Sequence, residues 1–241
     1  MCGRFSQQRP ASELAEIFAA EPLADELGAR YNVAPTDEAL VVVQREDRRA
    51  ITAYRWGLIP HWAETARAGS RMFNARAETL TASPAFRDAF RRKRCLVPVD
   101  GFYEWQRQGT RRQPFTIGRA DGRPLVLAGL WAGWHDEAAD RVVRTFTIVT
   151  SGPNGQMAGL HDRMPVIVPE AAWARWLDPE LADPGELQAL FEPSDDIELR
   201  IQAVSPLVNN VRNEGPALVA TFDPAAGDTA SLATATLGLV D

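Results

Sequence analysis

Cys2 stands directly behind the first methionine in Met1-Cys2-Gly3-Arg4-Phe5, and it has the most distinctive chemistry open to it in this chain. Methionine aminopeptidases act when the second residue is small, so the mature chain is expected to begin at cysteine, with an α-amine and a thiol on adjacent carbons. Such a 1,2-aminothiol condenses with an aldehyde through its amine, and the thiol then closes a five-membered thiazolidine. A terminal amine with a pKa of about 7.7–8.0 keeps a neutral, nucleophilic fraction at physiological pH, whereas a lysine near about 10.4 stays protonated. The only lysine is Lys93, so an amine nucleophile would be that residue or the terminus.

Three further segments concentrate polar groups in unusual settings. In Phe73-Asn74-Ala75-Arg76-Ala77-Glu78, Asn74 and Arg76 alternate and share one face if the segment is extended. Asp100-Gly101-Phe102-Tyr103-Glu104-Trp105 sets a carboxylate among large aromatics, a setting in which a carboxyl group can give and take protons near neutrality; an exposed strand glutamate fits the same residues. In Gly159-Leu160-His161-Asp162-Arg163-Met164-Pro165 a histidine follows a loop and precedes a strand, a place for a structural imidazole as well as a proton carrier.

These segments need a scaffold, and its class is α+β: a single domain with a curved, mostly antiparallel β-sheet, barrel-like, and peripheral helices. Strand-like runs cover Leu40 to Gln44, Ile51 to Leu58, Cys95 to Val99, Gly101 to Gln106, Pro114 to Arg119, Leu125 to Trp134, Thr145 to Thr150 and Leu199 to Val204, with turn signals such as Asp121-Gly122. Helices are expected over Ser12 to Ala20 with Ser12 as cap, from Ser83-Pro84 to Arg94 with Ser83 as cap, from Pro169 to Trp176 and from Pro184 to Phe191. Residues 1–222 form the domain, and 223–241, rich in Ala, Thr and Gly, read as a loosely held tail.

Composition narrows the function classes. Apolar content of 45% is that of an ordinary globular chain. No run approaches a membrane span and no signal peptide opens the chain, which places it in the cytoplasm. Two cysteines, Cys2 and Cys95, are too few for a disulfide framework, and no Cys/His spacing suits a metal. The net charge of −6 is uneven: residues 1–120 hold 19 Lys and Arg against 14 Asp and Glu, so the first half could present a basic face. There is no phosphate-binding loop, since Gly152-Pro153-Asn154-Gly155 has the wrong spacing. Trp56, Trp131 and Trp134 fit core positions better than base platforms, and Arg91 to Arg94 reads as a solvated helix end.

Met1-Cys2-Gly3-Arg4-Phe5, Arg30-Tyr31-Asn32-Val33-Ala34-Pro35, Arg55-Trp56-Gly57-Leu58-Ile59-Pro60, Asn74-Ala75-Arg76-Ala77-Glu78, Gly101-Phe102-Tyr103-Glu104-Trp105, Leu160-His161-Asp162-Arg163-Met164-Pro165 and Val204-Ser205 with Asn210 follow one another in order. Together they resemble the SRAP family (SOS response-associated peptidase domain), whose members include proteins that crosslink to abasic sites in single-stranded DNA. By that resemblance Cys2 supplies amine and thiol, Asn74 holds the terminus, Glu104 shuttles protons, and His161 assists sugar opening, ring closure or reversal. The same resemblance has Arg4, Arg76 and Arg163 bind phosphates, Asn32, Pro35 and Trp62 line or wedge the strand, and Thr150 join the DNA-contacting set. It implies abasic single-stranded DNA as partner, no cofactor, no metal, no membrane and a monomer. His61-Trp62-Ala63 departs from the pair of aromatics frequent in the family.

Other readings fit parts of the same text. Amidotransferases with an N-terminal nucleophile also begin Met-Cys-Gly, although no synthase or ATP-binding domain accompanies the motif. A cysteine peptidase could combine Cys2, Glu104 and His161. A pure single-strand binding module would survive loss of Cys2.

Overall fold

The run Glu38 to Arg45 is apolar at five consecutive positions, and the reason is that both faces of this strand are buried. Leu40 and Val42 join a core with Leu14, Phe18, Phe90 and Trp176, while Ala39, Val41 and Val43 join a second core with Tyr54, Trp56, Cys95 and Phe146. A sheet between two apolar layers of this kind can close on itself and still carry helices outside. A computed structural model describes residues 2–24, 27–109, 111–192 and 195–224; the expected tail from residue 225 onward lies outside the described residues.

In chain order the elements are β1 (Phe5–Gln7), α1 (Ala11–Phe18), β2 (Ala20–Pro22), β3 (Arg30–Val33), β4 (Glu38–Arg45), β5 (Arg48–Trp56), β6 (Asn74–Arg76), α2 (Arg87–Arg92), β7 (Arg94–Val99), β8 (Gly101–Gln108), β9 (Arg111–Arg119), β10 (Leu125–Asp136), β11 (Arg141–Ser151), β12 (Met164–Pro165), α3 (Trp173–Leu177), α4 (Pro184–Gln188) and β13 (Leu199–Ala203). One sheet runs β12-β11-β10-β7-β4-β5-β2, and β11 also pairs in parallel with β5 through Thr145↔Arg55 and Phe146↔Trp56. That pairing closes β4, β5, β7, β10 and β11 into a five-stranded barrel. A second sheet, β13-β9-β8-β1-β3, lies beside it. The α+β class with a curved, mostly antiparallel, barrel-like core and peripheral helices is therefore the observed architecture. No helix among the described residues is long and apolar enough to cross a membrane.

The helix starts differ from the sequence expectation. α1 begins at Ala11 with Pro10 in the cap position, and no side chain caps it. Ser83 does not cap a helix through its hydroxyl either. Its carbonyl accepts the amides of Phe86 and Arg87 in a turn, and α2 begins only at Arg87. Arg94 is not solvated. It is 3% exposed, and its guanidinium donates to the carbonyl oxygens of Trp176 (2.6 Å), Phe90 (2.8 Å), Arg91 (2.5 Å), Leu181 (3.0 Å) and Asp178, with its charge over the Trp176 ring. Orphan carbonyls at the ends of α2 and α3 thus share one cation, and burial lowers the Arg94 pKa to about 10. Trp56 and Trp134 are buried, as their core reading requires.

Candidate functional site

Pairing of β1 with β8 brings the amino-terminal segment to the acid. Phe5 lies opposite Phe102, and the Tyr103 amide donates to the Arg4 carbonyl at 2.9 Å, so Cys2 continues alongside Glu104. Cys2 is fully buried, and its backbone oxygen accepts a hydrogen bond from Asn74 Nδ2 at 2.7 Å. Asn74 reaches that oxygen because β6 pairs in parallel with β11, Asn74 opposite Ile148 and Arg76 opposite Thr150. Ala75 between them points into the core at 1% exposure, so the expected alternation of Asn74 and Arg76 is present. Asn74 Oδ1 is buried with no hydrogen-bond partner among the described residues.

Glu104 sits inside β8 at 3% exposure, with Oε2 at 3.8 Å from His161 Nε2. The Arg163 backbone amide donates to His161 Nδ1 at 2.9 Å, and Asp162 Oδ1 stands 2.8 Å from the same nitrogen. Nδ1 therefore meets a donor and a carboxylate together, and Nε2 is the nitrogen that faces Glu104. Burial pushes the Cys2 thiol well above the ordinary thiol range, and the nearby Glu104 carboxylate pushes it further. The resting sulfur is a thiol, not a thiolate.

The expected DNA-contacting residues divide by exposure. Arg76 is exposed, Trp62 is 55% exposed, and Pro35 is partly buried. Asn32 has no exposed surface; its amide donates to the carbonyls of Val208, Asn210 and Asn213 and its oxygen accepts from Arg4 at 2.6 Å. Arg4 also donates to the carbonyls of Val208 and Asn209, with Trp105 beneath it at 6.0 Å. In this arrangement Arg4 and Asn32 hold the loop after β13. Thr150 is likewise buried and receives Arg163 through its carbonyl at 2.6 Å. Arg76, His161 and Arg163 line one open cavity of about 480 Å³ together with Glu78, Thr79 and Asp162.

Two site residues escaped the sequence reading. Glu78 forms a two-point ion pair with Arg163; its place two residues after Arg76, on the same alternating face, was the available signal. Trp134 belongs to the core but also donates its indole N–H to the Ala63 carbonyl at 2.6 Å, fixing the loop that presents Trp62. That bond joins residues far apart in the chain, and nothing in the local text announces it. Gly57 opens the same loop with φ +116°, and a Cβ there would stand 2.4 Å from the Gly69 oxygen. Among the described residues no group of His, Cys, Asp and Glu could hold a metal ion.

The family model "SOS response associated peptidase (SRAP)" matches residues 1–211. The abasic site processing protein YoqW of Bacillus subtilis is 37% identical over 222 residues, covering 91% of this chain and 99% of the relative. YedK of Escherichia coli, also named an abasic site processing protein, is 29% identical with the same coverage. HMCES of Xenopus tropicalis, named likewise, is 30% identical over 83% of this chain and 68% of its own length. A crystal structure of a Bacteroides thetaiotaomicron protein superposes with a TM-score of 0.83 over 92% of this chain and all of that one, at 24% identity, which shows the shared fold.

Proposed function

From the premise that the chain belongs to the SOS response-associated peptidase (SRAP) family, we propose that it processes abasic sites in single-stranded DNA by capturing them covalently through Cys2. The names of its relatives support the lesion. The observation that carries the reading is that Asn74 holds the Cys2 carbonyl, the Glu104 carboxylate acts on the Cys2 thiol, and His161 stands against Glu104.

The open form of an abasic sugar is an aldehyde. Once Met1 is removed, the neutral α-amine adds to the aldehyde carbon, its two protons pass in turn from nitrogen to oxygen, and loss of that oxygen as water leaves an imine. The Cys2 sulfur then adds to the imine carbon while its proton ends on nitrogen, closing the thiazolidine with one water released overall. Glu104 takes a proton from the ammonium and returns one to the departing hydroxyl, and His161 Nε2 restores its protonation. Asn74 has two jobs: Nδ2 holds the Cys2 carbonyl, and the unpartnered Oδ1 accepts from the new terminal amine. Arg76 and Trp62 offer the strand a cation and a stacking surface. A peptidase reading, with the thiolate as attacking group, is less well supported, because burial and the Glu104 charge both disfavour that thiolate.

The decisive experiment is intact-mass analysis after mixing the protein with a single-stranded abasic oligonucleotide. The expected species is the chain beginning at Cys2 plus the oligonucleotide less one water. A permanent extension before Cys2 acylates the amine and should abolish it; an extended protein that still forms a stable adduct sinks the terminal-aminothiol mechanism.

A further inference from the structure

The Arg163 guanidinium is already occupied by an anion of the protein itself. Nη1 donates to Glu78 Oε1 at 2.5 Å and Nη2 to Glu78 Oε2 at 3.0 Å, a fork-to-fork pair. Nη2 also donates to the Thr150 carbonyl at 2.6 Å, so both of its hydrogens are engaged. A phosphate would seek the same Nη1/Nη2 edge that the carboxylate holds. The edge formed by Nε and Nη2 offers no substitute, since Nη2 has no hydrogen left and Nε is buried without a partner.

The two halves of this pair are unequally fixed. The Arg163 side chain is 18% exposed and tied to the buried Thr150, whereas the Glu78 side chain is 54% exposed on a short 3-10 turn, Ala77–Thr79. Glu78 can turn to water while Arg163 stays in place. Hydrogen bonding from Arg163 also holds the Glu78 carboxyl below its ordinary pKa, so near neutrality the carboxylate leaves as an anion.

We propose that Glu78 is a specificity-determining residue, an internal anion that a strand phosphate must displace from Arg163. The inference rests on the reading of this face as a DNA site. Exchange of one anion for another releases no net counterion at Arg163, so this arginine adds little to general affinity for polyanions. It engages when the strand is already held by its other contacts, foremost the lesion at Cys2. Discrimination against undamaged strand is the consequence.

The test is non-covalent binding of an intact single-stranded oligonucleotide across a salt series, with a melting curve for each variant. Glu78→Gln keeps the shape and removes the charge. It should bind the intact strand about three- to tenfold more tightly at low salt, with a log–log slope steeper by about 0.7. Adding Arg163→Ala should erase that gain. With Glu78 left in place, Arg76→Ala should flatten the slope by about 0.7, and Arg163→Ala by far less. The proposal is overturned if Glu78→Gln binds no more tightly, if its gain survives loss of Arg163, if Arg163→Ala alone flattens the slope as much as Arg76→Ala, or if no variant binds strand. Glu78→Ala repeats the measurement should the glutamine variant melt early. A protein that binds strand normally but forms no adduct fails the Cys2 mechanism and leaves this result standing.

Discussion

At position 2 the difference between oxygen and sulfur separates the two bonds that the proposed adduct contains. Cys2→Ser keeps the α-amine but offers a poorer nucleophile for ring closure, so an imine should form and then hydrolyse, or drive strand cleavage by β-elimination. Borohydride should trap Cys2→Ser on abasic DNA while adding little to the yield of the native protein, whose adduct should survive heating without reductant. If Cys2→Ser forms an equally durable adduct unaided, the thiol is not what stabilises the product. Asn74 poses a separate question at the same scale, because its amide donates to the Cys2 carbonyl at 2.7 Å from a strand that β11 holds in place. Asn74→Asp preserves the shape but cannot donate, and it sets a negative charge against the Cys2 carbonyl oxygen. A terminus displaced by about 1 Å can lose about 100-fold in rate, so adduct formation in Asn74→Asp should slow by about 10- to 100-fold while non-covalent strand binding changes little. Equal losses in both would make Asn74 a scaffold residue only.

Elements, not residues, decide where these groups meet, and their legibility in the sequence followed their length. The long strands β4, β5, β7, β8, β10 and β11 were readable because each is a sustained run of β-branched, aromatic or apolar side chains buried on at least one face. The three-residue strands β1, β2 and β6 are too short to show a sustained run; they exist because β8, β5 and β11 supply the other half of the ladder. Helix starts were misplaced for a related reason, since Ser12 and Ser83 have capping chemistry but the chain path puts Pro10 and Phe86 in the cap positions. The four segments carrying Cys2, Asn74, Glu104 and His161 were recognisable as text. The burial of Asn32 and Thr150 was not, because it depends on loops that close over them from distant parts of the chain. Arg94 is the sharpest case: inside a run of four basic residues it looks solvated, yet five carbonyl oxygens converge on it. Arg94→Met should therefore destabilise by at least about 3 kcal/mol, since it strands those carbonyls, and urea unfolding would measure it. Adduct chemistry per folded molecule should stay unchanged. Trp134→Phe deletes the N–H that holds Ala63 and shrinks a buried ring. It should cost about 1 kcal/mol or more of stability and weaken strand binding through Trp62; unaltered binding would show that the loop's other hydrogen bonds suffice to hold it.

On the scale of the whole molecule, one apolar core takes in both thiols. Cys2 and Cys95 belong to the same core cluster and are fully buried, and Gly129 leaves room for Cys95, since a Cβ there would stand 2.7 Å from its sulfur. Burial raises both thiol pKa values in the folded state, and it raises the Tyr103 phenol as well. The unfolded chain releases its thiol protons near pH 8.5 and its phenol protons near about 10. A group whose folded pKa is raised contributes stability that is fully present below the unfolded pKa and is lost as pH rises toward the folded one. Stability should hence be level through neutrality and then decline above about pH 8.5, because there the unfolded state binds fewer protons than the folded state. Each thiol contributes a slope approaching about 1.4 kcal/mol per pH unit once the unfolded thiol is ionised. Cys95→Ala tests the origin of that slope without touching the amino terminus. The variant should be less stable at pH 7, because it leaves a small cavity, yet lose less stability than the native protein between pH 8.5 and 10. Urea midpoints across that range measure the difference. Curves that fall in parallel would show that the alkaline limit is set elsewhere, and that the apolar core does not hold Cys95 in its protonated form.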